Sequence, residues 1–185
     1  MTKKKMILIL CLCVLSIFLF IILLSFLYLK ITFKTDYKNI IEENLKVITL
    51  NNENLNTNFV LSVIKQESSF DINARSSKDA FGLMQLTFPT AKEVAQKLNL
   101  NITLEDLYNP EINIKLGINY LNYLFTIFYD KQLVILSYNA GFNKVKSWIE
   151  NNELKKENGV YQTPFKETNN YIKRVLTNEK IYNLI

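Results

Sequence analysis

Glu67 follows Val60, Val63 and Ile64 by seven, four and three residues, so in a helix all four side chains share one face. A carboxylate on the core-facing side of a helix is costly without a partner or a chemical task. The sequence leaves few other acid–base groups. Its 185 residues include no histidine, which excludes Ser-His-Asp and Cys-His triads, histidine bases and histidine metal sites. The two cysteines, Cys11 and Cys13, both lie in an N-terminal apolar run, so the rest carries no disulfide, thiol nucleophile or thiolate zinc site. Carboxylates, hydroxyls, amides, Lys, Arg or a hard metal on oxygen ligands remain. Glycosidases work with that set, and Glu67 is the candidate general acid. A two-carboxylate glycosidase needs a partner about 5–9.5 Å away. No second carboxylate stands in a comparably specific setting, although Asp71, Asp79 and Glu167 stay open. The apolar stripe beneath Glu67 predicts a pKa raised by desolvation.

Four blocks follow one another along the chain: Gln66-Glu67-Ser68, Gly82-Leu83-Met84-Gln85, Ser137-Tyr138-Asn139-Ala140-Gly141, and Pro164-Phe165-Lys166-Glu167-Thr168 with Tyr171. Leu107-Tyr108-Asn109-Pro110, Asn113-Ile114-Lys115-Leu116-Gly117 and Tyr120-Leu121 lie between them. In this order and spacing the set resembles the catalytic domain of the soluble lytic transglycosylase family over about residues 55–185. The resemblance implies an all-α, goose-type-lysozyme-like fold. It also implies cleavage of the β-1,4 bond between N-acetylmuramic acid and N-acetylglucosamine in peptidoglycan, leaving a 1,6-anhydromuramoyl end. Glu67 would then be the sole acid/base, and the C6 hydroxyl of the sugar would replace a second carboxylate. Further roles carry over by position. Ser76 would contact substrate near the acid, and Met84 and Gln85 would line the cleft, the Gln85 amide bonding an N-acetyl group. Tyr138 and Asn139 would stand opposite, and Glu167 would lie at the cleft floor, backed by Tyr171. No metal or cofactor is implied. One departure is Asp79-Ala80-Phe81, where the family has Gly-Ala; Asp fits there if its φ is negative or left-handed.

Each residue also has a plainer reading. Glu67 alone could be a helix-end surface residue, Met84 and Tyr138 core, Tyr120 and Tyr171 half-buried packing, and Asn139 to Gly141 only a helix terminus. Two other functions stay open: a hydrolytic muramidase on the same fold, or a non-catalytic peptidoglycan-binding part of an envelope assembly.

The elements that must position these groups are helical. Four glycines, three prolines and no sustained period-two runs argue against a substantial sheet. Asn56 to Asn58 cap the Glu67 helix, and a loop from Asp71 to Asp79 follows. Pro89 sits in the first turn of the next helix, with Ala91, Val94, Ala95 and Leu98 on its apolar face. Asn99–Asn109 reads as a loop. Pro110 opens a long helix with Ile114, Gly117, Leu121, Leu124, Phe125 and Phe128 inside, and Gly117 predicts a close helix crossing. Gln132–Ala140 forms a helix capped by Gly141, and Val145, Trp148 and Ile149 mark a short one. Asn151–Thr163 reads as a loop, and Phe165–Tyr182 as the last helix.

Lys3, Lys4 and Lys5 precede an apolar run from Met6 to Leu29, longer than the roughly 20 residues that span a bilayer. It also exceeds the apolar core of a cleaved signal peptide, and no small-residue cleavage site follows. Residues 1–30 therefore read as a cytoplasmic lysine stub and an uncleaved single-pass anchor. Residues 31–54 read as a stalk, perched before a catalytic domain over 55–185 on the extracytoplasmic side. The flanking lysines, Lys30, Lys34 and Lys38 among them, only lean toward that orientation. A net charge of +5 suits anionic wall polymer or lipid. With two arginines and no dense basic block beyond Lys3–Lys5, nucleic acid is not the expected partner.

Overall fold

The computed structural model describes residues 2–48 and 53–185, in two compact units divided after Thr35. Met1 of the expected stub and residues 49–52 of the expected stalk lie outside the described residues. The first unit is essentially helix α1, Lys3–Thr32, with no buried side chain. Its 30 residues are long and apolar enough to cross a membrane. Ser16 and Ser25 donate to the Cys13 and Ile22 carbonyls at 2.8 and 2.7 Å, which satisfies both hydroxyls within the helix.

The second unit begins at Asp36, not near Leu55. Within the expected stalk lies helix α2, Lys38–Lys46, and it is no free spacer: Ile41 is fully buried, and α2 packs on α3 and α5. Tyr37 also stacks its ring on Phe70. Helix α3, Thr57–Ser68, starts where Asn56 accepts from the Phe59 N–H at 3.0 Å. Phe59 to Ile64 are buried without interruption, so α3 is a central helix, packed chiefly on α8. After the loop, β1 (Ala80–Phe81) and β2 (Leu86–Thr87) form a minimal antiparallel hairpin with Gly82–Gln85 at its tip.

Helix α4, Phe88–Lys97, has Pro89 in its first turn, and a 3-10 turn, Glu105–Tyr108, shortens the loop expected at 99–109. Helix α5, Pro110–Phe128, buries the expected stripe except Phe128, which is half-buried. Gly117 does mark a close approach, but to a loop: a Cβ there would overlap the Met84 side chain. Helices α6 (Lys131–Ala140) and α7 (Phe142–Glu150) are joined by Gly141 alone, at φ 88°. Residues expected as a loop then form a second hairpin, β3 (Lys155–Glu157) with β4 (Val160–Gln162). Its turn is Asn158-Gly159 with φ 50° and 78°, the left-handed pair that a tight hairpin needs. Helix α8, Lys166–Tyr182, closes the unit against α3 and α6.

Candidate active site

Helix α3 presents Glu67 on its last turn, half-buried, one turn beyond the buried Val63 and Ile64. Helix α8 supplies Tyr171, whose hydroxyl donates to Glu67 Oε1 at 2.5 Å. Burial pushes the Glu67 carboxyl up to about 7, against a smaller downward pull from the Tyr171 hydrogen bond. Among the described residues no lysine or arginine forms an ion pair with it. Near neutral pH this group divides between acid and base, which is what proton transfer in both directions needs. Tyr138, on α6, lies within electrostatic reach: burial and then the Glu67 charge hold its phenol well above its usual range. Its hydroxyl donates to the Met84 carbonyl at 2.8 Å, and its ring leans on Tyr120 at 5.5 Å.

The hairpin tip Gly82–Gln85 is fixed from below by a residue whose role the sequence did not disclose. Asn113, in the first turns of α5 and 1% exposed, accepts from the Met84 N–H at 2.8 Å. It donates to the Phe81 and Leu107 carbonyls at 3.0 and 2.8 Å. Gly82, at φ 72°, admits this approach, since a Cβ there would overlap Leu107 O and the Asn113 amide. The signal available beforehand was the block Asn113-Ile114-Lys115-Leu116-Gly117, which marked the residue without giving it a role.

The structure brings Glu67, Tyr138 and Tyr171 together, and it corrects several other expectations. Met84 does not line the cleft with its side chain, which is fully buried in the space left by Gly117. Gln85 does not offer its amide hydrogens outward. Its Nε2 donates to the Ala74 and Gly82 carbonyls at 3.0 and 2.9 Å, and its backbone sits at φ 49°. Ser76 is half-buried and its Oγ accepts from the Lys78 and Ala80 N–H groups at 3.2 and 3.1 Å, which folds the loop. Tyr171 backs Glu67, not Glu167. Glu167 stands at a rim, not on a floor: its side chain is 75% exposed, 3.5 Å from Lys78. Asp79 takes the left-handed conformation at φ 51° and pairs with Arg75 at 2.7 Å. Asp71 is exposed and accepts from the Asn73 N–H at 2.9 Å.

Two hollows flank the turn after Tyr138. One, of about 460 Å³, is lined by Asn139, Gln66 and the α8 residues Glu167, Tyr171 and Arg174. The other, of about 330 Å³, is lined by Ala140, Gly141 and the aromatic Tyr120, Tyr123 and Phe142. Among the described residues no group of three or more His, Cys, Asp or Glu side chains converges to hold a metal ion.

The model of the Transglycosylase SLT domain family matches residues 47–160. A putative soluble lytic murein transglycosylase of Haemophilus influenzae is 35% identical over 140 residues, covering 74% of this chain and 24% of that protein. The membrane-bound lytic murein transglycosylase C of Shigella sonnei is 31% identical over 147 residues, 66% of this chain and 41% of that protein. Among solved structures, an inactive mutant of the lytic transglycosylase Slt from Pseudomonas aeruginosa superposes with a TM-score of 0.71 at 29% identity. It matches 84% of this chain and 25% of that one. The 70 kDa soluble lytic transglycosylase from Escherichia coli shares the fold at TM-score 0.71 and 24% identity, over 82% of this chain and 25% of its own. The chain thus spans about a quarter of the length of the first relatives it matches. The chain belongs to the Transglycosylase SLT domain family, and its helical unit has the lysozyme-like fold.

Proposed function

We propose that this chain is a membrane-anchored lytic transglycosylase acting on peptidoglycan, with Glu67 as its single acid/base. The observation that carries the reading is a carboxyl with a pKa near 7, desolvated and held by the Tyr171 phenol. As an acid, Glu67 protonates the oxygen between N-acetylmuramic acid and N-acetylglucosamine while the C1–O bond breaks. As a carboxylate, it takes the proton of the muramoyl C6 hydroxyl as that oxygen bonds to C1. The product is a 1,6-anhydro ring, and Glu67 is protonated again. Asp71 and Asp79 are exposed and engaged in loop contacts, and Glu167 is exposed beside Lys78, so none resembles a buried second carboxylate. That favours the sugar's own hydroxyl as nucleophile over a base-activated water.

Helix α1 serves as the anchor and residues 36–185 as the catalytic unit, placed outside the cytoplasm where the wall polymer lies. The membrane-bound relative supports this reading. Tyr138, bonded to the hairpin tip through the Met84 carbonyl, and its neighbour Asn139 contact the glycan. Ser76, Met84 and Gln85 shape that tip from within, Ser76 and Gln85 through hydrogen bonds and Met84 through packing.

The test is digestion of purified peptidoglycan by the full chain in detergent, with the muropeptides weighed by mass spectrometry. Products lighter by one water than reducing-end muropeptides, lost in Glu67→Gln, are expected. Reducing-end products would make the enzyme a hydrolase. Binding without turnover would make it a structural wall-binding component.

A further inference from the structure

We infer that Asn113 is a positioning residue that sets the polarity of the Tyr138 phenol, turning its proton away from Glu67 and its lone pairs toward the cleft. The inference rests on the reading of Glu67 and Tyr138 as active-site groups, but its test does not require turnover. Tyr138 can give its hydroxyl hydrogen to one acceptor only, and the Met84 carbonyl takes it at 2.8 Å. That carbonyl faces the phenol because the hairpin tip is pinned on both sides of Met84. Before it, Asn113 Oδ1 holds the Met84 N–H; after it, the Gln85 N–H donates to the Gly82 carbonyl at 3.2 Å.

The Asn113 amide cannot reverse. Both of its hydrogens are committed to the Phe81 and Leu107 carbonyls, so only its oxygen faces Met84. An Asp would turn a second acceptor toward those carbonyls, and an apolar residue would leave three buried backbone groups unpaired. The two phenols near Glu67 are thereby made unequal. Tyr171 donates to the carboxyl, whereas Tyr138 has no hydrogen left to give it. Tyr138 is therefore an acceptor for a sugar hydroxyl, a sugar amide or the protonated Glu67. Released from Met84, its phenol would turn its hydrogen to the Glu67 carboxylate and stabilise the charged form.

The experiment is a carbon-detected NMR titration of the Glu67 carboxyl in the full chain, in detergent. The proteins compared are wild type, Asn113→Ser, Tyr138→Phe and the double variant. The expected result is a Glu67 midpoint below about 7 in Asn113→Ser, with the midpoint restored in the double variant. An unmoved midpoint in folded Asn113→Ser, or a shift that persists without the Tyr138 hydroxyl, overturns the inference. A second measurement needs no variant: the wild-type Tyr138 hydroxyl proton should exchange slowly and show a cross-peak to Met84. Fast exchange with no such cross-peak overturns it equally. Loss of peptidoglycan cleavage has no bearing on either readout.

Discussion

Two glutamates sit at contacts of α8 with its neighbours, and they are held in opposite ways. Glu179 on α8 meets Lys131 of α6 at 2.6 Å, with side chains only 10% and 20% exposed, and the same ammonium lies over the Phe59 ring. Glu67 on α3 meets a phenol of α8 and no cation among the described residues. The first carboxylate is held by a counter-charge and ties α8 to α6. The second is relieved of its charge by a proton, which it can lend. One fold therefore separates a carboxylate paired with an ammonium from one bonded to a phenol by the choice of a single partner.

The widest separation should appear in activity. Glu67→Gln is expected to lower peptidoglycan cleavage by at least about 100-fold, the low end for losing a general acid, while circular dichroism remains that of wild type. A fully active variant would break the contrast. Glu179→Gln should do the reverse: unfolding by urea is expected to show a loss of about 3 kcal/mol, because Lys131, only 20% exposed, is left without its counter-charge, with turnover per folded molecule kept. An unchanged midpoint would show that the pair contributes little.

The third difference lies in pH. The folded pKa of Glu67, about 7, is raised above its ordinary 4.5, so the neutral form is the one the fold favours. Its contribution is complete below about 4.5 and is lost as pH rises through 7, amounting to on the order of 3 kcal/mol. Urea unfolding at a series of pH values should show this slope in wild type and its loss in Glu67→Gln. A smaller effect is expected from Tyr171→Phe. Removing the hydrogen bond that lowers the Glu67 pKa should move the alkaline limb of the kcat/KM profile to higher pH. A limb that moves down would mean that Tyr171 does not stabilise the carboxylate. Smallest of all, Lys78→Gln, which removes an exposed ion pair with Glu167, should leave thermal unfolding unchanged.

Helix periodicity made α3 to α6 and α8 readable, and the same periodicity put Glu67 on a buried face. Tyr138 and Tyr171 came from the motif resemblance. What stayed illegible depended on neighbours remote in sequence. Met84 enters the core because Gly117 has no side chain, and Gln85 turns inward because two loop carbonyls wait there. Neither fact leaves a local pattern. Asn113 was visible as a residue but not as an anchor, since its three partners come from two separate segments. The α2 segment looked like a stalk because its composition is polar, yet one buried Ile41 and two helical neighbours bind it into the unit. The second hairpin had a readable turn in Asn158-Gly159. Its flanking strands, Lys155–Glu157 wholly exposed and Val160–Gln162 half-buried, show no alternation of apolar and polar residues.

Helix α1 carries a physical demand of its own. The apolar run Met6–Leu29 lies wholly within it, and at about 1.5 Å per residue it is roughly 36 Å long. A hydrocarbon layer of about 30 Å is shorter than that. In such a bilayer the helix must lean or thicken the lipid around it, and a thicker patch of membrane relieves the mismatch. A membrane-spanning helix of this length is accommodated with least distortion where lipids pack thickest, a lateral address written in length alone.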